Sequence, residues 1–280
     1  QYFLRRGHAV YVVDQVARGR SAHWSQSQGP VSASSLTRTE QRFVAPKRAK
    51  LWPQARAHTQ WPGNGKPGDP AFDTFYATQF PSLVDYGKQQ EINRDAGIAL
   101  LDRIGPSVLL VHSQSGAFAW PIADQRPKLV KAIVAVEPNG PPFYNVVPTA
   151  TNDPGAVRKF GITFDHLTYD PPVKELADLA PKREEKPQSA DLQACWVPSV
   201  PHKLPKLAGI PIAIVTGEAS YHAPYDHCTS QFLTRMGVAN DWLPLGANGI
   251  HGNGHMMMLE KNNQEIARLM ADWAVKRVKK

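Results

Sequence analysis

Between Ser107 and Trp120 an apolar run, Val108-Leu-Leu-Val-His112, passes directly into Ser113-Gln-Ser115-Gly116 and on into Ala117-Phe-Ala-Trp120, which has helical character. A short apolar strand that feeds a helix through a turn of small residues has the layout of a strand–turn–helix unit that exposes one serine. The rest of the chain repeats the alternation. Strand candidates at 129–136, 210–216 and 242–245 are interleaved with helix candidates at 83–104, up to 125, 223–236 and 256–278. In the first of these helices Ile92, Ala96, Ala99, Leu100 and Arg103 fall at helical spacing, and Gly105-Pro106 ends it. This pattern predicts an α/β fold with a mostly parallel sheet flanked by helices.

The opening residues, Gln1 to Arg6, read as the end of a helix stopped by Gly7, and His8 to Val13 read as a first strand closed by Asp14. A chain that opens inside a helix leads us to expect that N-terminal strands are missing from it. A Gly/Pro/Trp-rich stretch then runs from Ala17 to about Pro81, including Trp61-Pro-Gly-Asn-Gly-Lys-Pro-Gly-Asp-Pro70. It is too long for a plain connector, and its aromatic residues predict packing rather than disorder. A second polar, Pro-rich stretch, 139–205, with a helical piece near 173–179, reads as a cap inserted into a core made of 1–138 and 206–280.

The net charge is +8, but the basic residues are scattered apart from Lys47 to Lys50 and the tail from Lys276, so nucleic-acid binding is not expected. No apolar run is long enough to span a membrane. Cys195 and Cys228 can form one disulfide or remain two buried thiols, and neither has metal-ligand spacing.

A serine at the end of a strand and the start of a helix is presented on a sharp turn, with free N–H groups and a positive helix end beside it. Ser115 has small residues, Ser113 and Ala117, at both ±2 positions and a helix directly behind it; Ser113 is the rival nucleophile. The Gly116 N–H would donate to an oxyanion, with Gln114 also at the site. A serine hydroxyl needs a base, and His251 and His255 both fall on a late loop. His255 is favoured because it directly precedes the final helix. Two acids end strands, Glu137 and Glu218, and Glu137 in Val134-Ala-Val-Glu-Pro138 is preferred. Trp61, Phe118, Trp120, Phe143 and Tyr144 would suit an apolar acyl or aryl group, or simply fill the core.

Strand-Asp14-x4-Gly19-x-Ser21, the turn around Ser115, and Gly254-His255 with its trailing Leu-Glu260 resemble the α/β-hydrolase superfamily over nearly the whole chain. Val136-Glu137-Pro-Asn-Gly140-Pro-Pro and the Trp-Pro-rich loop resemble a smaller group of bacterial serine esterases whose triad acid follows the sixth strand. The resemblance implies Ser115 as nucleophile, Glu137 as acid, His255 as base, a cap over the pocket, and no cofactor or metal. Ala17 stands where glycine is common, and the loop supplying a second oxyanion donor is not seen. The implied reaction is two-step hydrolysis of a small or medium ester. Amide, lactone or acyl-transfer chemistry and a catalytically silent binding protein are the alternatives. The implied setting is periplasmic or secreted, with a homodimer admitted.

Overall fold

The computed structural model describes residues 1–145 and 157–278. Its contacts divide the chain into two units. One comprises Gln1–Asp85, Gly217–Tyr221 and Leu245–Lys280, the other Tyr86–Thr216 and His222–Pro244.

The second unit carries the sheet. Four strands, β1 (Ser107–His112), β2 (Val130–Val136), β3 (Ile212–Thr216) and β4 (Asp241–Pro244), pair in parallel and in sequence order. Three helices accompany them: α1 (Tyr86–Ile104), α2 (Gly116–Gln125) and α3 (Asp226–Arg235). Parallel strands need such crossovers, and strands covered on both faces read as unbroken apolar runs. Ile212 to Thr216 is buried at every position. Strand β1 lies at the edge of this sheet, and Val108 and Leu110 remain exposed on alternate positions.

Helix α1 buries a different stripe from the one its apolar spacing suggests. Gln89, Gln90, Asn93, Ile98 and Leu101 are inside, while Ala96 and Ala99 are exposed. Gln90 explains this. Its side-chain oxygen accepts from Phe164 N at 2.7 Å and Asp165 N at 2.8 Å, and its amide donates to Ala117 O. A fully satisfied buried amide is tolerated where an unpaired one is not.

The expected cap lies within this unit, with residues 146–156 outside the described ones. Its Leu167, Val173, Leu179 and Leu204 share one core with Phe118, Trp120, Ile133 and Phe232. Arg158, fully buried, donates from Nε to Pro141 O at 2.7 Å and from Nη2 to Asn145 Oδ1 at 2.8 Å; burial lowers its pKa to about 10. Cys195 and Cys228 are joined as a disulfide, with Cα atoms 5.3 Å apart.

The first unit packs the Trp-rich stretch. Val44, Ala45, Trp61, Phe72 and Phe75 form its apolar cluster, with Phe43, Tyr76 and Met256 against it. The helix Pro70–Ala77 is capped by Asp69, which accepts from Ala71 N at 3.2 Å. Two sequence expectations change here. Residues 8–13 form no strand: Val12 is 80 % exposed, and among the described residues no strand pairs with this segment. An apolar run forms a strand only where a neighbour supplies a ladder for its N–H and C=O groups. The last helix begins later than 256. A 3₁₀ turn, Met257–Leu259, precedes α4 (Asn263–Arg277), because Glu260 is used inside the turn, as described below.

Candidate active site

In the sheet-bearing unit, β1 ends at His112 and the chain makes a single 3₁₀ turn, Ser113–Ser115, before α2 begins. Ser113 adopts φ +52°, the left-handed region that a residue with a Cβ rarely takes. Ser115 is relaxed, at φ −70°, ψ −14°. Its Oγ donates to His112 O at 2.8 Å and accepts from His112 N at 2.9 Å. Ser115 therefore ties the turn back to the strand end. Both serines are half-buried. Of the two serines, Ser113 carries the backbone strain.

The Gly116 N–H donates to Ser113 O and closes the turn. A Cβ on Gly116 would lie 2.4 Å from Pro138 Cα, so glycine is required by close approach. Pro138 follows Glu137 at the end of β2. Glu137 is 0 % exposed, has φ +46°, and donates its N–H to Val215 O at 2.9 Å. Two strained strand ends, one serine and one carboxylate, are thus coupled through the Gly116–Pro138 contact.

In the other unit, His255 is 1 % exposed. Its ring stacks on Phe43 at 5.2 Å and meets Tyr221 at 4.7 Å. Tyr221 Oη lies 3.5 Å from His255 Nε2. The loop that carries His255 is held from within. Glu260, with its side chain fully buried, accepts from Gly254 N at 3.0 and 3.1 Å and from Asn253 Nδ2 at 2.8 Å, and lies 2.7 Å from His58 Nε2. Thr59 N and Gln60 N both donate to Gly252 O, and Ala219 N donates to Asn253 O.

A family model described as the alpha/beta hydrolase family matches residues 1–269. The chain belongs to the α/β-hydrolase family. Over 281 aligned residues this hydrolase is 45 % identical to a probable secreted lipase of a fungal species (strain ATCC 74256), covering 98 % of this chain and 74 % of the relative. A solved structure described as a novel bacterial esterase superposes with a TM-score of 0.57 at 22 % identity, covering 99 % of this chain and 73 % of that one. At that identity it speaks for the fold.

In the hydrolase, the residues singled out from sequence have the following surroundings. The Ser115 hydroxyl is hydrogen-bonded to the backbone of His112, and the Gly116 N–H to Ser113 O. Ser113 directly follows the last strand residue, His112. Gln114, half-buried, follows it. Phe143 is 0 % exposed and Trp120 1 %, both in the sheet unit's core, and Trp61 lies in the other unit's cluster. All three are buried in these clusters. Glu218 accepts from Gly252 N at 2.8 Å and pairs at 3.1 Å with His251, whose side chain is 65 % exposed. The Glu218–His251 pair staples a surface loop. Sequence reasoning passed over Arg42, Phe43, His58 and Tyr221, which no local motif signals.

Proposed function

We propose that this hydrolase cleaves carboxylic esters through a covalent acyl-enzyme, with Ser113 as nucleophile, His255 as base and Glu137 as the acid that orients it. The observation that carries this reading is the left-handed serine immediately after β1, in a turn whose Gly116 packs against Pro138, the residue after the buried Glu137. Ser113 Oγ attacks the carbonyl carbon, and its proton passes to His255. The carbonyl pair moves to oxygen, which meets the N–H of Gln114, the residue after the nucleophile. The alkoxide leaves with the proton from His255, and water repeats the sequence to free the acid. The buried Glu137 holds the imidazole and stabilises its charged form.

An apolar acyl ester is the proposed substrate class, supported by the relative named as a secreted lipase. Secretion is proposed on the same relative and on the Cys195–Cys228 pair, since disulfides persist in oxidising compartments. The segment 139–205 is proposed to cap the pocket. No helix among the described residues is long and apolar enough to cross a membrane.

The test is hydrolysis of a p-nitrophenyl ester series from acetate to decanoate. Ser113→Ala is expected to lower kcat by at least about 1,000-fold, whereas Ser115→Ala stays within about tenfold of the parent. The reverse order of the two variants would overturn the assignment.

A further inference from the structure

Helix α3 opens with Asp226-His227-Cys228, and the disulfide joins Cys228 to Cys195, the residue before the short strand Trp196–Pro198. His227 lies against both sulphurs: its Nε2 is 3.2 Å from Cys195 Sγ and 3.6 Å from Cys228 Sγ. All of these residues belong to the sheet-bearing unit. The frame around them is tied down. Cys195 N donates to Glu184 Oε2 at 3.0 Å, Gln231 Nε2 donates to Glu184 Oε1 at 2.7 Å, and Gln193 N donates to Pro224 O at 2.8 Å. The two cysteines are buried, and the imidazole, 3 % exposed, meets the Trp242 ring at 5.9 Å. A buried imidazole normally finds partners for its nitrogens. Here Nε2 faces two sulphurs that carry no hydrogen while they are bonded to each other, and Nδ1 has no well-aligned hydrogen bond among the described residues. Burial lowers the pKa of the ring against the Glu184 carboxylate and the Gln193 backbone, which raise it. The ring is therefore neutral and has a lone pair to give.

The unsatisfied ring has a physical account in the reduced chain. With the disulfide cleaved, the same three side chains offer two sulphurs and one nitrogen, a ligand set that suits Zn²⁺. Tetrahedral bonds of about 2.3 Å to sulphur and about 2.0 Å to nitrogen set N and S about 3.6 Å apart. His227 Nε2 already stands close to that distance from both sulphurs. The sulphurs themselves need only turn apart about their Cα–Cβ bonds. We propose that Cys195, His227 and Cys228 form a redox-gated Zn²⁺ site, shut in the disulfide form and competent in the dithiol form. Two thiols RSH reduce the bond: each protein sulphur gains one electron and one proton, and RS–SR forms. Zn²⁺ then displaces one proton from each protein thiol and accepts the Nε2 lone pair, with water in the fourth position. A disulfide oxidant RS–SR reverses this. It takes the two electrons and two protons to become two RSH, the ion leaves, and Cys195 and Cys228 rejoin. Either state pins the Cys195 segment to α3.

The experiment titrates the intact chain, kept reduced by a phosphine and freed of metal, with Co²⁺ and then Zn²⁺. The oxidised chain and a reduced His227→Gln variant are treated alike, and melting and near-ultraviolet circular dichroism are recorded for each. The reduced parent is expected to bind one Co²⁺ per chain with the absorption bands of tetrahedral, thiolate-ligated cobalt, to release about two protons per ion, and to lose the bands when Zn²⁺ displaces Co²⁺. Zn²⁺ is expected to raise the melting midpoint of the reduced parent and to leave that of the oxidised chain unchanged. His227→Gln is expected to weaken Zn²⁺ binding by at least about 100-fold, since outer-shell partners alone are worth about 10–100-fold. A reduced parent that takes up neither ion, whether or not it holds its native dichroism before the metal is added, overturns the proposal. Equal uptake by the oxidised chain overturns it, as does His227→Gln at the parental affinity.

Discussion

Gly116 has no side chain because Pro138 occupies the space where one would be. This contact ties the serine turn to the Glu137 turn, so a methyl group there pushes both out of place. Gly116→Ala is expected to lower stability by about 1–3 kcal/mol through overpacking, and to lower kcat more than Ser115→Ala does. Denaturant melts beside ester kinetics check this. A variant as stable and as active as the parent would show that the contact positions nothing. Most of this scale was within reach of the sequence. A strand, small residues and a helix locate the turn, and Glu137-Pro138 locates the buried carboxylate that ends β2. Which serine the turn presents was not legible. Spacing of small neighbours favoured Ser115, whereas the backbone assigns the strain to Ser113 and uses the Ser115 hydroxyl as a cap.

At the scale of elements, the loop 251–255 is held by a carboxylate rather than by secondary structure. Glu260 satisfies Gly254 N and Asn253 and meets His58, all in a buried setting. Removing an acceptor there leaves several donors unpaired, a loss of roughly 3 kcal/mol. Glu260→Ala is therefore expected to melt markedly lower and to lose most of its activity, while Glu218→Ala, which frees the exposed His251 and the Gly252 N–H, changes both little. Equal behaviour of the two variants would contradict the assignment. The strands β1 to β4 and the helices that follow them were readable from alternation alone. Residues 8–13 were not, because apolar content predicts a strand only where a neighbour supplies the ladder. The late start of α4 was also hidden, since Glu260 is held by Asn253 and Gly254 nearby and by His58, 202 residues away.

At the scale of the whole molecule, one buried acid outside the proposed chemistry ties stability to pH. Asp226 lies 2.8 Å from His222 Nδ1, and Thr216 Oγ1 donates to it at 2.9 Å, itself accepting from Trp242 Nε1 at 3.1 Å. Burial pushes the Asp226 carboxyl well above the usual carboxylate range. The folded chain thus keeps a proton that the unfolded chain gives up near pH 4. The linked stability is greatest below that pH and declines as pH rises toward the folded value. The melting midpoint of the parent is expected to fall relative to Asp226→Asn between pH 5 and 8; a constant difference across that range would contradict the buried, proton-holding state. Fold class was legible at this scale and the polar network was not, since its members are brought together from β3, β4 and α3.

The most direct test of the central claim is covalent capture. The intact chain is treated with a fluorophosphonate, and the site of the adduct is read by fragmentation of the peptide spanning residues 107–125. The account predicts one adduct per chain, on Ser113, absent in Ser113→Ala and in His255→Ala, and retained in Ser115→Ala. An adduct on Ser115, or a parent that hydrolyses esters yet takes up no phosphonate, would contradict it.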